Sequence, residues 1–172
     1  ACPFAVLGTV QAQALCATAK VVADGAALDA GAADMLAELA KGKAALAIGP
    51  GLGREEGAWL AIEALVRSDT PKVVDADALY LLAKYGGGVG ANTVLTPHPG
   101  EMARLLGRAC GDPVEDARML AKECGCTVLL KGRATCISDG ERAYMMNPGA
   151  PGMACGGSGD VLTGVIGALL AQ

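Results

Sequence analysis

At 172 residues and a net charge of −4, the chain has the length of one domain with room for a substantial core. Hydrophobic residues make up 52% and charged residues 19%, a balance that excludes intrinsic disorder. No basic stripe is present, which argues against nucleic acid and anionic membranes as partners.

The apolar content is mostly Ala, Val and Leu, with one Phe and one Trp. That composition suits buried parallel strands and close-packed helices. The seven cysteines are odd in number and irregularly spaced. Cys124 and Cys126 flank a single glycine, unlike the two-residue spacing of redox or zinc motifs. With one histidine in the chain, structural zinc is not expected. The cysteines read as small buried apolar residues in a reducing compartment, with the cytoplasm as the expected location. No apolar run is long enough to cross a bilayer, and no signal-peptide pattern opens the chain. Lacking an initiator Met, it is expected to be processed, trimmed or a fragment.

Residues 1–42 carry little signal. Val6-Leu7 and Val21-Val22 could be strand cores, and Ala32 to Ala40 reads as a short helix ended near Gly42. From Lys43 the pattern sharpens. Ala44 to Ile48 is a continuous apolar run, expected to be a buried parallel strand. It runs into Gly49-Pro50-Gly51-Leu52-Gly53-Arg54, whose glycines permit a sharp turn and close approach of backbone to a ligand. A helix over Gly57 to Val66 follows, with Trp59, Ile62 and Leu65/Val66 on one face.

Pro71 to Asp75 is the next strand, ending in Asp75-Ala76-Asp77. Two carboxylates at a strand end suit a ligand pocket, while Asp77 before Ala78 to Tyr85 equally suits a helix N-cap. Thr93 to Leu95 is a short strand leading into Thr96-Pro97-His98-Pro99-Gly100-Glu101. There two prolines hold the chain's histidine in a rigid loop, and Glu101 also fits a first-turn helix carboxylate. Pro113 to Cys124 is an amphipathic helix, with proline at its start and Gly125 after its end. Thr127 to Leu130 forms a strand entering Lys131-Gly132-Arg133-Ala134-Thr135, and a lysine leaving a buried strand beside glycine suits a phosphate. Thr135 to Ser138, Asp139-Gly140 and Arg142 to Met146 read as a hairpin with an Asp-Gly turn.

The closing stretch, Asn147 to Gln172, joins a Gly/Pro-rich run to a helix. Val161, Leu162, Val165, Ile166 and Leu169 recur at helical spacing as one apolar stripe. Gly156, Gly157 and Gly159 leave bare backbone at the helix entrance, where unpaired N–H groups and the positive end of the macrodipole favour an anion. Asp160 stands at that corner, although aspartate in a first turn is favoured on dipole grounds alone.

The string GGSGDVLTG resembles the glycine-Ser-Gly-Asp signature of ribokinase-like enzymes. NPGAPGMACGGSGD, GPGLG, DADAL, TPHPGE and K-G-x-x-T together resemble one branch of that superfamily, the ADP- or ATP-dependent NAD(P)H-hydrate dehydratases. The resemblance covers roughly Ala45 to Gln172; residues 1–42 depart most, and the chain looks shortened at both ends relative to the family. It implies a three-layer α/β domain with a mostly parallel sheet, in agreement with the strand–loop–helix order. It further implies Asp160 as catalytic base, and Gly157, Ser158 and Gly159 as the anion hole. Gly53, His98 and Asp160 would contact the substrate. Lys131, Gly132, Arg133, Ala134, Thr135 and Gly159 would bind the adenine nucleotide, ADP or ATP. Related vitamin kinases carry Asn and Glu three apart where this chain has His98 and Glu101. The replacement favours the dehydratase branch and leaves Glu101 as the residue near Mg²⁺, through water.

The activity so implied is nucleotide-dependent dehydration of (S)-NAD(P)H hydrate, a lyase reaction that repairs the cofactor. Alternatives are a small-alcohol vitamin-precursor kinase of the same superfamily and a non-catalytic nucleotide-binding module. A shortened parallel sheet would expose an edge, so a homo-oligomer is expected.

Overall fold

The computed structural model describes residues 1–14, 16–146, 149, 152 and 155–172. Its centre is a six-stranded sheet in sequential order: β3 (Leu46–Ile48), β4 (Lys72–Val74), β5 (Thr93–Leu95), β6 (Thr127–Leu130), β7 (Cys136–Ser138) and β8 (Ala143–Met145). The first four run parallel, and β6, β7 and β8 are antiparallel. The expected α/β fold with a mostly parallel sheet is therefore the one observed. The Asp-Gly hairpin forms as read: the Asp139 carboxylate accepts from the Glu141 and Arg142 amides at 2.9 and 2.6 Å.

On one face lie α3 (Glu56–Arg67), α4 (Ala76–Tyr85), α5 (Pro99–Leu106) and α6 (Pro113–Cys124), packed side by side in that order. They bury Trp59, Ile62, Val66, Leu79, Leu81, Met102 and Leu120 against Ile48, Val74, Leu95 and Val128. Trp59 stacks on Tyr85 with ring centroids 6.0 Å apart. Because strand side chains alternate, Ala47 and Val73 face the other side. There α7 (Ser158–Leu170) crosses β3 and β4. Gly167 makes that crossing close, since a Cβ there would meet Ala47 Cβ at 3.6 Å and Val73 Cγ1 at 3.7 Å.

Three readings need correction. Val6-Leu7 is no strand: a 3-10 turn at Phe4–Val6 leads into α1 (Leu7–Gln13). The N-terminal strands are β1 (Cys2–Pro3) and β2 (Val21–Ala23), paired in parallel as a separate two-stranded sheet. The run Ala44 to Ile48 yields only a three-residue strand at the sheet edge, with Ala47 exposed. Continuous apolarity does not separate an edge strand from a central one when the outward residues are alanines. The stripe on α7 also divides. Leu162 and Ile166 are half-buried, whereas Val161, Val165 and Leu169 stand exposed.

The helix over Ala32 to Ala40 is observed as α2 (Ala33–Ala40). The helix of residues 113–124 has its read boundaries, because Pro113 sits at its first turn and Gly125 caps it at φ 64°. Asp112 starts it by accepting from the Val114 and Glu115 amides at 2.9 and 3.0 Å, the usual work of an N-cap aspartate.

Candidate functional site

The carboxyl ends of β3, β4, β5 and β6 meet at one rim, where open α/β sheets bind ligands. The ladder continues past the regular strands: the amides of Asp75, Thr96 and Lys131 donate to the carbonyls of Ile48, Val74 and Pro97 at 3.0, 3.2 and 2.8 Å. The residues that leave these strands are thus held in register with their neighbours. Gly49 closes the first turn with φ 136°, where a Cβ would fall 1.8 Å from the Asp75 carbonyl oxygen. No side chain fits there. The next strand turns into α4 through Ala76, whose φ of 49° is the one left-handed non-glycine backbone among the described residues. A strained position of this kind tends to lie at functional sites.

Asp75 is the hub. Its carboxylate is 2% exposed, with Oδ1 2.7 Å from Lys131 Nζ and Oδ2 accepting from Thr163 Oγ1 at 2.8 Å. Thr163 also lies 3.0 Å from the Gly159 carbonyl oxygen. Its single hydroxyl proton goes to the charged carboxylate, the stronger acceptor. A buried carboxylate is tolerable only when paired and hydrogen-bonded, and Asp75 is both. Through it the end of β4, the end of β6 and the first turns of α7 are tied together.

Gly159 packs into that junction. A Cβ there would sit 3.6 Å from Lys131 Nζ and 3.7 Å from Asp75 Oδ2. Gly157 precedes the helix with φ 84° as its N-cap. Ser158 donates its amide and its hydroxyl to the Cys155 carbonyl, at 3.3 and 2.8 Å. The Gly159 and Asp160 amides have no acceptor among the described residues. Asp160, third in the helix, is exposed and adjoins the lysine-bearing junction. The glycine corner and the strand-end lysine, far apart in sequence, therefore come together. Asn147, Pro148, Ala150, Pro151, Met153 and Ala154 of the Gly/Pro-rich run lie outside the described residues.

His98 has a structural task that its proline-bounded setting did not reveal. It is the N-cap of α5: Nδ1 accepts from the Gly100 and Glu101 amides at 3.0 and 3.3 Å, and Glu101 Oε2 accepts from the His98 amide at 2.8 Å. This reciprocal pair is a capping box, built here on histidine instead of Ser or Thr. The spacing of three between His98 and Glu101 was the available signal. The other imidazole nitrogen, Nε2, lies 3.6 Å from Glu101 Oε1, and the ring is half exposed toward the rim. Glu101 is buried, and its Oε2 also faces Lys131 Nζ at 3.9 Å.

Asp77 is no N-cap; α4 begins at Ala76 and Asp75 precedes it. The Asp77 side chain reaches across to the glycine loop instead. It accepts from the Gly53 amide at 3.1 Å and from Arg54 Nε at 2.7 Å, and Arg54 lies over the Tyr80 ring at 4.9 Å. The hydrogen bond and charge of Asp77 raise the Arg54 pKa, helped by Tyr80 and Glu101.

Beyond Lys131, the residues of the candidate nucleotide loop are less engaged. Gly132 and Arg133 are exposed, Ala134 is half-buried, and the Thr135 carbonyl accepts from the Met146 amide at 2.9 Å. Among the described residues no three His, Cys, Asp or Glu side chains form a metal cluster. Mg²⁺ keeps several waters and is held through one or two carboxylates plus substrate phosphates, so the single Glu101 fits it through water.

A six-stranded, mostly parallel sheet with helices on both faces and polar residues gathered at the strand ends is the ribokinase-like architecture. A ribokinase-like superfamily protein from Enterococcus faecalis shares it, with a TM-score of 0.80 at 24% identity over 99% of this chain and 59% of that one. A family model described as NAD(P)H-hydrate dehydratase matches residues 5–172, and the chain belongs to that family. The match takes in most of the N-terminal stretch in which no family motif was legible.

The bifunctional NAD(P)H-hydrate repair enzyme Nnr of Vibrio cholerae is 48% identical over 132 residues, covering 74% of this chain and 26% of the relative. The enzyme of that name from Moorella thermoacetica is 46% identical over 155 residues, 85% and 29% of the two. The present chain thus spans under a third of their length. The ADP/ATP-dependent NAD(P)H-hydrate dehydratase of Bacillus subtilis, co-crystallized with ATP/Mg2+, superposes with a TM-score of 0.65 at 33% identity. That superposition covers 78% of this chain and 51% of the other.

Proposed function

We propose that this chain dehydrates (S)-NAD(P)H hydrate to NAD(P)H in a reaction that consumes ADP or ATP. The observation that carries the reading is the junction of Gly159 with Lys131 and Asp75, with exposed Asp160 one residue further on. It joins a cation, open helix amides and a carboxylate base within one site. Those are the parts that phosphoryl transfer uses.

In this reading Asp160 removes the proton from the hydroxyl of the hydrated ring. The freed oxygen attacks the terminal phosphoryl group, and the bond to the nucleotide breaks, leaving AMP from ADP or ADP from ATP. The ring nitrogen then expels the phosphate with its C–O electron pair, and loss of a ring proton restores the double bond. The amides at the start of α7 stabilise the charge on the transferred group. Lys131 is held at the phosphates by Asp75, and Gly53 and His98 border the nicotinamide side. The remainder of the Lys131–Thr135 loop receives the nucleotide. Mg²⁺, which the Bacillus subtilis protein was crystallized with, would neutralise phosphate charge beside Glu101. A cytoplasmic, homo-oligomeric protein completes the proposal.

Incubation of the protein with hydrated NADH or NADPH, each with ADP or ATP, tests it. Nucleotide-dependent recovery of reduced-nicotinamide absorbance is expected. Nucleotide binding without recovery would instead mark a non-catalytic module.

A further inference from the structure

Arg54 stands on the rim with a distinctive arrangement. Its side chain is 58% exposed, yet it is fixed at two points. Nε donates to Asp77 Oδ1 at 2.7 Å, and the guanidinium carbon lies 4.9 Å over the Tyr80 ring. Asp77 in turn holds the Gly53 amide at 3.1 Å, so the arginine and the glycine loop share one anchor. The two terminal nitrogens, Nη1 and Nη2, have no acceptor among the described residues. A planar fork of donors fixed at its base is suited to bidentate contact with a phosphate. Much of the rotamer entropy such a contact normally costs has already been lost in the free protein. Lys131, half-buried at the same rim, is already paired with Asp75.

We infer that Arg54 binds a phosphate group of the dinucleotide substrate and so sets the affinity for the hydrate. The inference rests on the dehydratase reading and deepens it. The glycine loop would border the reacting ring, and Arg54, the next residue, would reach outward to the charged part of the same molecule. Two phosphates offer this chemistry, the bridging diphosphate and the 2′-phosphate that NADPH alone carries.

The test is steady-state kinetics of Arg54→Gln and Arg54→Lys beside the unaltered protein, with NADH hydrate and NADPH hydrate in turn. The glutamine variant is expected to raise KM for the hydrate about tenfold, the size of a lost charge-assisted hydrogen bond. It should leave kcat within about twofold and KM for ADP or ATP unchanged, because the lost contact is equally strong in the ground and transition states. Lysine, which keeps the charge and loses the fork, should fall between. A rise of equal size with both hydrates assigns the contact to the diphosphate; a rise confined to NADPH hydrate assigns it to the 2′-phosphate. An unchanged KM for both hydrates overturns the inference while leaving the dehydratase reading intact, and so does a rise in KM for the nucleotide instead. An unaltered protein that neither binds nor converts the hydrate overturns both.

Discussion

Asp75 and Thr163 make the smallest unit on which the site depends. The carboxylate is almost fully withdrawn from water, and its two oxygens are held by one lysine and one hydroxyl. Removing the hydroxyl leaves Asp75 Oδ2 short of a donor where water cannot easily replace it. Thr163→Val is therefore expected to cost about 1–3 kcal/mol of stability and to lower turnover by loosening α7 against Lys131. Thr163→Ser, which keeps the donor, should recover most of both. Denaturant unfolding alongside turnover reads the two together. A valine variant as stable and as active as the parent would show that the hydroxyl does no positioning. None of this was visible in the sequence, because the bond joins residues 88 positions apart. The prolines marked His98 as held in a rigid loop, but its capping role was not legible. A histidine N-cap is uncommon enough that the box was hidden behind a familiar spacing.

Among the elements, β4 carries an anomaly. Lys72 is fully buried, with Nζ 2.5 Å from the Ser68 carbonyl and 3.4 Å from Thr93 Oγ1. Burial lowers its pKa, with the charge of Asp69 opposing the shift. Between the lowered folded value and the unfolded one the native state binds fewer protons than the unfolded chain, so stability must rise with pH through that window. Lys72→Met should abolish the rise, as seen in unfolding midpoints taken from neutral to alkaline pH; a slope unchanged by the substitution would disprove the assignment. Helix boundaries were the most legible features at this scale. Pro113 and Gly125 bound α6 with residue types whose backbone requirements are local. The edge position of β3 was not legible, since it depends on which strand lies beside it and not on what the strand contains.

At the scale of the whole molecule, the exposed stripe of Val161, Val165 and Leu169 lies on the helix that packs across the face of β3 and β4, of which β3 is the edge strand. An apolar row beside an unpaired edge is a natural contact for a second copy of the chain. Sedimentation is expected to show concentration-dependent association, and Val165→Glu should shift it toward monomer. A parent protein that stays monomeric at high concentration would remove the proposal. The rim itself was largely legible beforehand, because glycine loops and charged residues following short apolar runs mark strand ends in α/β chains. Their mutual distances were not legible, and those distances turn a set of motifs into a site.

The central claim is that the corner at the start of α7 grips a phosphoryl group while Asp160 takes a proton. Measuring ADP or ATP affinity and hydrate turnover side by side for the parent and Asp160→Asn tests it most directly. The claim predicts nucleotide affinity within a few-fold of the parent and turnover reduced at least about a hundredfold, the scale of a lost general base. An asparagine variant that dehydrates the hydrate at the parent's rate would contradict it.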